Sequence, residues 1–514
     1  MGPQTLTRMA GYAGLARDAW KLRRSDEEHV RAQVLRHLIE RMGKLRGLPQ
    51  KLGQMLSFSR EADEAVAAEY AVLQEQVKPL PLETVRPLME TAWGRPLEDV
   101  LDQIEPRAHA ASLGQVHRAV TRDGRAVAVK VQYPGIRQSV QSDLKMLGWL
   151  SVPVGNLRRG FDLGAYRQVI LENLEWELDY RQEARSQHLF ADWARSEPLL
   201  VVPEVVDQLS TDVVLVSEWE DGEPWNVVRG DWPKEERRQL ASGMLRLMLD
   251  GLFRRLLVHG DWHPGNLRFR RDSGEVQLLL YDFGCVYRPT GDERLALLRL
   301  IRATERRDES PWPLMLKLGF DRQYLEPLAD KLPALYRVLF EPFWVEYPYD
   351  LTHWRLGDRV SDILGDDRWN FRIAGPLAMI FLLRAFHGLI YYLEGLGTPI
   401  MWNRIFRPVQ AALSEATDRL ELPEPDVKKC DFQSMARYLK TRVSEGGRTK
   451  VELTQYASAI DNLNDFLEDD LKERIERQGI RLESIVRDVR RRGYQPGPVF
   501  ELNDRAKHIE VRLE

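Results

Sequence analysis

Cysteine is almost absent from this chain: 514 residues hold two, Cys285 and Cys430. That excludes a disulfide framework and any metal site built on four thiolates. Net charge is nearly absent too, at −4 from 74 Lys and Arg against 78 Asp and Glu. So small an imbalance gives no global pull toward nucleic acid or an anionic membrane, and no nucleic-acid partner is expected. Residues 1–30 lack an apolar core, which argues against a secretory signal, and Leu6 stands where a myristoylation motif needs Ser or Thr. Long hydrophobic runs are missing as well. The most lipid-like stretch, residues 373–396, is uncharged only from Ile373 to Leu383 before Arg384 interrupts it, whereas a span needs about 20 apolar residues. It reads as a buried helix of a helical lobe. The chain therefore reads as cytoplasmic. Peripheral membrane contact stays open through residues 2–24, where Leu6, Met9, Ala13, Ala16 and Trp20 recur at helical spacing. A helix packed on the body is the plainer reading of that segment.

What is present exceeds one core. At 43% hydrophobic and 30% charged residues, 514 residues describe a soluble protein of two or more packed units. Its chemistry concentrates in Val258–Tyr287, VHGDWHPGNLRFRRDSGEVQLLLYDFGCVY. Asp261 is followed at plus five by Asn266, then by a hairpin-like segment that runs into Asp282-Phe283-Gly284. Phosphoryl transfer of the kinase type needs this set. One carboxylate orients or deprotonates the nucleophile, while an Asn and a second Asp hold the magnesium that neutralises phosphate charge. A lone Asp-Phe-Gly would be weak evidence; the ordered set is strong.

Upstream lie the other parts of a nucleotide site. Ala108–Ala119 (AHAASLGQVHRA) reads as a small-residue loop leading into a strand, with Ala110, Ala111, Ser112 and Gln115 placed to approach a polyphosphate. After a turn at Thr121–Gly124, Ala126–Gln132 alternates as a strand carrying Lys130, whose amine can reach the α- and β-phosphates. Glu177, Asp179 and Glu183 crowd one helical stretch, and Glu177 or Glu183 can pair with that lysine; the plain alternative is a solvated acidic face. Glu218 and Gly222 stand where a hinge would meet adenine. Residues 28–88 have helical periodicity, and within them Lys51 and Gln54 fall one turn apart in an otherwise ordinary helix. Beyond Glu421–Asp426 (ELPEPD) a charged tail begins. Tyr456, Ile460, Leu463, Leu467 and Leu471 step through it as an amphipathic helical stripe that packs on the body or on a protein partner. Arg487–Arg492 reads as a solvated basic face, with an anion site the alternative.

Lys51-Leu-Gly-Gln54, the Ala108–His117 loop, Lys130 in VAVKVQYPG, Glu177-Leu-Asp179, HGDWHPGN and Tyr281-Asp-Phe-Gly284 occur in one order. Together they resemble the UbiB-like family of atypical kinases, the ABC1 kinase-like ATPases, over roughly residues 45–396. The resemblance implies an α+β, bilobal protein-kinase-like fold. Its expected parts are an N-terminal helical extension (1–100), an N-lobe (101–222), a C-lobe (223–420) and a charged helical C-terminal tail (421–514). It further implies ATP and Mg2+ as ligands, with Asp261 and Lys130 catalytic and Asn266 with Asp282 on the metal. Glu183 would pair with Lys130. Lys51 and Gln54, held by Glu177 and Asp179, would close the peptide-substrate site. Such proteins serve isoprenoid-quinone or other lipid metabolism at membranes, so a lipid or quinone-intermediate ligand is implied. His109 departs from the expected alanine run and leaves nucleotide preference open. The soluble tail departs from relatives that end in membrane helices. Two rivals remain: a small-molecule phosphotransferase of the aminoglycoside or choline type, and a nucleotide-gated scaffold without turnover.

Overall fold

Val127, Val129 and Val131 alternate with Ala128, Lys130 and Gln132, and the segment folds as that period of two dictates. In the computed structural model all three valines are fully buried. The structure describes residues 79–111, 113–140, 176–272, 274–424, 430–446, 448–463, 481–504 and 507–514, with scattered residues between 464 and 480. The chain forms two compact units. One comprises Met1–Glu236, His259–Tyr287 and Ile380–Gly388; the other comprises Arg237–Val258, Arg288–Met379 and Leu389–Glu514. The K-x-G-Q segment with Lys51 and Gln54 lies outside the described residues, as does Ser112.

The first unit opens with α1 (Leu82–Trp93), which lays Val85 and Met89 against the valine face. Beneath it is an antiparallel sheet in the order β1 (Leu101–Ala110), β2 (Gly114–Thr121), β3 (Ala126–Gln132), β5 (Val214–Glu218). Here the small-residue segment departs from the loop reading. Strand β1 runs through Ala110, and the turn closes at once with the Ala111 N–H donating to Gly114 O at 2.8 Å. Gly114 allows that closure, since a β-carbon there would lie 2.2 Å from the Val131 carbonyl oxygen. Helix α2 (Tyr180–Ala194) follows, its N-terminus capped by Asp179, whose carboxylate accepts from the Arg181 N–H. A second sheet runs β4 (Leu200–Val201), β7 (Glu275–Leu280), β6 (Leu267–Asp272).

The longer helices of the second unit are α3 (Lys234–Asp250), α4 (Gly291–Arg306), α5 (Pro311–Lys317), α6 (Leu332–Leu339), α7 (Leu356–Leu364) and α9 (Trp402–Asp418); α8 (Met379–Leu396) is divided, its Ile380–Gly388 stretch counting with the first unit. Helix α4 starts on a capping box, Thr290 and Glu293 each satisfying the other's backbone. Among the described residues α8 alone is long and apolar enough to cross a membrane. It also buries Ala385, Leu389, Tyr392 and Leu396, and its Arg384 is 7% exposed, which is the packing of a core helix.

The tail corrects the helical reading. Among its described residues it is chiefly an antiparallel sheet ordered β9 (Arg448–Tyr456), β8 (Tyr438–Glu445), β11 (Lys507–Leu513), β10 (Gly497–Asp504), with the helix α10 (Leu482–Arg491). The supposed stripe is broken at its first step: Tyr456 ends a strand and is 67% exposed, while Ile460 and Leu463 are buried. Leu467 and Leu471 lie outside the described residues. Nor does the tail stand apart, because Leu439, Leu502, Val511 and Leu513 share one core with Leu300, Trp312 and Leu335. Arg490 corrects the solvated basic face: it is buried and bonds Asp461 Oδ1 at 2.6 Å.

Candidate active site

Register assembles the site. Strands β6 and β7 pair antiparallel with Leu267 opposite Leu280, which sets Asn266 beside Tyr281; the Tyr281 N–H donates to Asn266 O at 2.9 Å. The hairpin thus returns Asp282 to the level of Asp261, although 21 residues separate them in sequence. His259 ties the two together. Its Nε2–H donates to Asp282 O (2.9 Å) and Tyr281 O (3.3 Å), while Nδ1 accepts from the Asp261 N–H (3.3 Å). Only the neutral ring with its proton on Nε2 makes all these bonds. Burial lowers the His259 pKa from 6.5, against the pull of Asp261. Phe283 packs on Phe190 of α2 and edge-on to His259. Gly260 is small for a reason, since a β-carbon there would meet Cys285 Sγ at 2.7 Å.

Lys130 leaves β3 toward this hairpin. Its Nζ lies 2.6 Å from Glu183 Oε1 and 3.2 Å from Asp282 Oδ2, and over the Tyr180 ring at 5.2 Å. Glu183 was one of two acids that sequence offered as the lysine's partner, and geometry selects it. Its Oε1 also accepts from the Phe283 N–H at 3.2 Å, so one buried carboxylate holds both the lysine and the Asp-Phe-Gly backbone. Burial works against the Lys130 charge, but Asp282 and then Glu183 outweigh it, raising its pKa. Burial pushes Glu183 up to about 7, even with Lys130 alongside. Asp282 stands at positive φ (56°), a left-handed conformation uncommon for a non-glycine residue. Its side chain is 32% exposed, against 3% for Glu183.

Asp261 is not bare. Arg384 Nη2, from the Ile380–Gly388 segment, donates to its Oδ1 at 2.5 Å, and both side chains are largely buried. Burial opposes the Arg384 charge, and Asp261 outweighs it. Asn266 Nδ2 donates to Asp261 O at 3.3 Å. Glu177 is buried, its Cγ 3.4 Å from where a β-carbon on Gly284 would sit. That places it beside the Asp-Phe-Gly turn, while Asp179 serves as the α2 cap.

Gln115 departs from its expected nucleotide role. Its amide is wholly buried, accepts from the Leu80 N–H at 2.7 Å, donates to Leu80 O at 3.0 Å, and contacts His117 Nε2. It clamps the chain ahead of α1. Ala110 is paired in β1 and the Ala111 N–H is committed to the turn. Glu218 ends β5, its N–H donating to Glu204 O at 2.8 Å. Two residues at the site went unassigned in sequence. Arg384 was read only as a break in an apolar run, and Tyr180, adjacent to Asp179, carried no motif. Among the described residues no cluster of His, Cys, Asp and Glu forms a ready-made metal cage. Asp282 and Asn266 suit a cation that keeps substrate and water among its ligands.

Residues 72–312 match the family model described as the ABC1 atypical kinase-like domain. The chain is 33% identical over 256 residues to the atypical kinase coq-8, mitochondrial, of Caenorhabditis elegans, covering 48% of this chain and 33% of that protein. It is 26% identical over 388 residues to the atypical kinase COQ8, mitochondrial, of Saccharomyces cerevisiae, covering 73% of this chain and 75% of that one. Among solved structures, the complex of Rv3197 with erythromycin from Mycobacterium tuberculosis covers 73% of this chain and 95% of its own, at 26% identity and a TM-score of 0.52. The part shared with the nematode relative is a third of that relative's length.

Proposed function

Residues 72–312 being an ABC1 atypical kinase-like domain, we propose that the chain binds Mg-ATP and hydrolyses it in support of isoprenoid-quinone or other lipid metabolism. The observation that carries this reading is the Lys130–Glu183–Asp282 cluster, with Lys130 Nζ within 3.2 Å of both carboxylates. A lysine so held has its amine fixed for phosphate oxygens, and Asp282, 32% exposed, faces the solvent from which a cation would come. Asp282 and the Asn266 side-chain Oδ1 would hold magnesium, which supplies charge neutralisation when bound. Lys130 binds phosphate and Glu183 keeps it in place. Asp261 orients the attacking water, its carboxylate held in place by Arg384. Positioning and fixed charge account for the catalysis; no covalent intermediate is required. Lys51 and Gln54 would close the peptide-substrate site, with Glu177 and Asp179 as anchors, so that water is the acceptor.

The test is ATP turnover by the full chain, with and without anionic vesicles and quinone-like phenols. Turnover by wild type and none by Asp282→Asn supports the reading; no turnover under any condition, with ATP still bound, would favour a scaffold. A second reading has one supporting observation, the macrolide held by the Mycobacterium relative. It makes the chain a small-molecule phosphotransferase, and phosphate release that starts only when an alcohol or aminoglycoside is added would establish it over hydrolysis.

A further inference from the structure

Strand β2 sets Gln115, His117 and Ala119 opposite Val131, Val129 and Val127, so an amide and an imidazole stand on the apolar face that α1 covers. Both are fully buried. Polar groups in such a place cost stability unless their hydrogen bonds are made. Leu80 supplies the missing half. It lies between Pro79 and Pro81, and a residue ahead of proline is held extended, with its N–H and C=O on offer together. The Leu80 N–H donates to Gln115 Oε1 at 2.7 Å, and Leu80 O accepts from Gln115 Nε2 at 3.0 Å. These two bonds fix which way the amide faces, and they leave its second Nε2–H for His117 Nε2 at 2.8 Å. His117 therefore accepts on Nε2 and carries its proton on Nδ1. That proton goes to Glu105 O at 2.8 Å, where β1 slips its register against β2 between Ile104 and Ala108.

Only the neutral ring completes this set. An imidazolium donates from both nitrogens, so its Nε2–H would face the Gln115 NH2 group, donor against donor. Turning the amide over would answer that proton but set N–H against N–H and oxygen against oxygen at Leu80. A protonated His117 and a bound Leu80 exclude one another. The surroundings offer the charge no help. Helix α1 presents Val85 and Met89 to this face, its Arg86 paired with Glu90, and β3 presents Val129. On β1 Glu105 and Arg107 are exposed and His109 opposes a second positive charge, while Arg118 of β2 lies over the Trp219 ring. Burial lowers the His117 pKa from 6.5 against the pull of the Glu105 bond, and His109 adds to the fall. A released ring takes up its proton at the ordinary value and the latched ring resists it, so the latch weakens as pH falls below 6.5.

We propose that Gln115 and His117 form a proton-sensitive latch: the neutral imidazole holds the amide on Leu80, and protonation frees the chain at Leu80 from the sheet that carries Lys130 while α1 stays packed. The test is hydrogen exchange of the full chain across pH, corrected for the intrinsic pH dependence of amide exchange. It is read at Leu80, whose N–H is the only one between Pro79 and Pro81, and at Val85 and Met89 within α1. Leu80 protection should hold constant from about pH 8 down to 6.5 and then fall by about tenfold per pH unit, with Val85 and Met89 still protected. His117→Gln, which puts an amide that does not titrate in the same place, should abolish the slope. A flat Leu80 profile in wild type, the same slope in His117→Gln, or a parallel loss of protection at Val85 and Met89 overturns the latch. Should His117→Gln fail to fold, the imidazole 15N shifts of wild type decide. One proton on Nδ1 above pH 6.5, joined by a second on Nε2 over the range in which Leu80 loses protection, supports the proposal. An Nε2-protonated ring beside a protected Leu80 refutes it.

Discussion

Two ion clusters, one in each unit, solve opposite problems with similar parts. Around Lys130 and Arg384 stand Glu177, Glu183, Asp261 and Asp282, an excess of carboxylate that is partly open to solvent at Asp282. Around Glu341, Asp461 and Asp362 stand Arg359 and Arg490, each guanidinium bonding two carboxylates in a largely buried network. The second cluster is closed and matched, whereas the first leaves Asp282 32% exposed. A buried pair that balances holds structure together; a residual charge at an opening suits a ligand of the other sign. On the proposed reading the first cluster takes a cation with phosphates beyond it, and the second holds its unit together.

Breaking the imbalance should abolish ligand chemistry, whereas breaking a balanced pair should cost stability. The largest effect is expected from Lys130→Met, which should cut ATP turnover by about 10²–10³-fold, as removal of one preorganised charge does elsewhere, in a steady-state phosphate-release assay. Asp461→Ala should leave turnover per folded molecule unchanged yet destabilise the second unit by roughly 3–5 kcal/mol, since Arg359 and Arg490 lose a buried counter-charge; denaturant titration measures it. Arg384→Met should lower turnover by about tenfold, because the buried Asp261 carboxylate then lacks the partner that fixes its position. Turnover equal to wild type would remove Arg384 from any role in positioning Asp261. His259 gives the smallest effect. Its folded pKa is below 6.5, so below that pH the unfolded chain takes up a proton that the folded chain refuses. Stability should therefore fall as pH drops through 6.5, and His259→Asn should flatten that slope in thermal melts.

The grouping of the candidate site was legible because its residues are fixed by short-range spacing. Asp261, Asn266 and Asp282 sit on one hairpin, and Lys130 sits on a strand whose alternation is plain. Glu183 was one of two candidates until the distance to Lys130 chose it. Arg384 was illegible as a partner of Asp261, since 123 residues separate them and nothing local marks the contact. Gln115 was misread for a related reason. Small residues on both sides suggested an open phosphate loop, but Gly114 lets β3 approach so closely that the hairpin shuts and the Gln115 amide turns to Leu80. The tail misled through its surface. Strand β9 is exposed along nearly its whole length, so no alternation of apolar and polar residues announced it. The step from Tyr456 to Ile460 came instead from a strand end followed by a six-residue 3-10 helix, Ala457–Asn462.

The account stands most directly on whether the carboxylate excess around Lys130 is a magnesium-nucleotide site. Calorimetric titration of the full chain with ATP, with magnesium and then with EDTA, measures this for wild type and Asp282→Asn. Tight binding by wild type that weakens sharply in EDTA, and by Asp282→Asn at the same weak level with or without magnesium, is the predicted result. Equal affinity of both proteins in both conditions would contradict it.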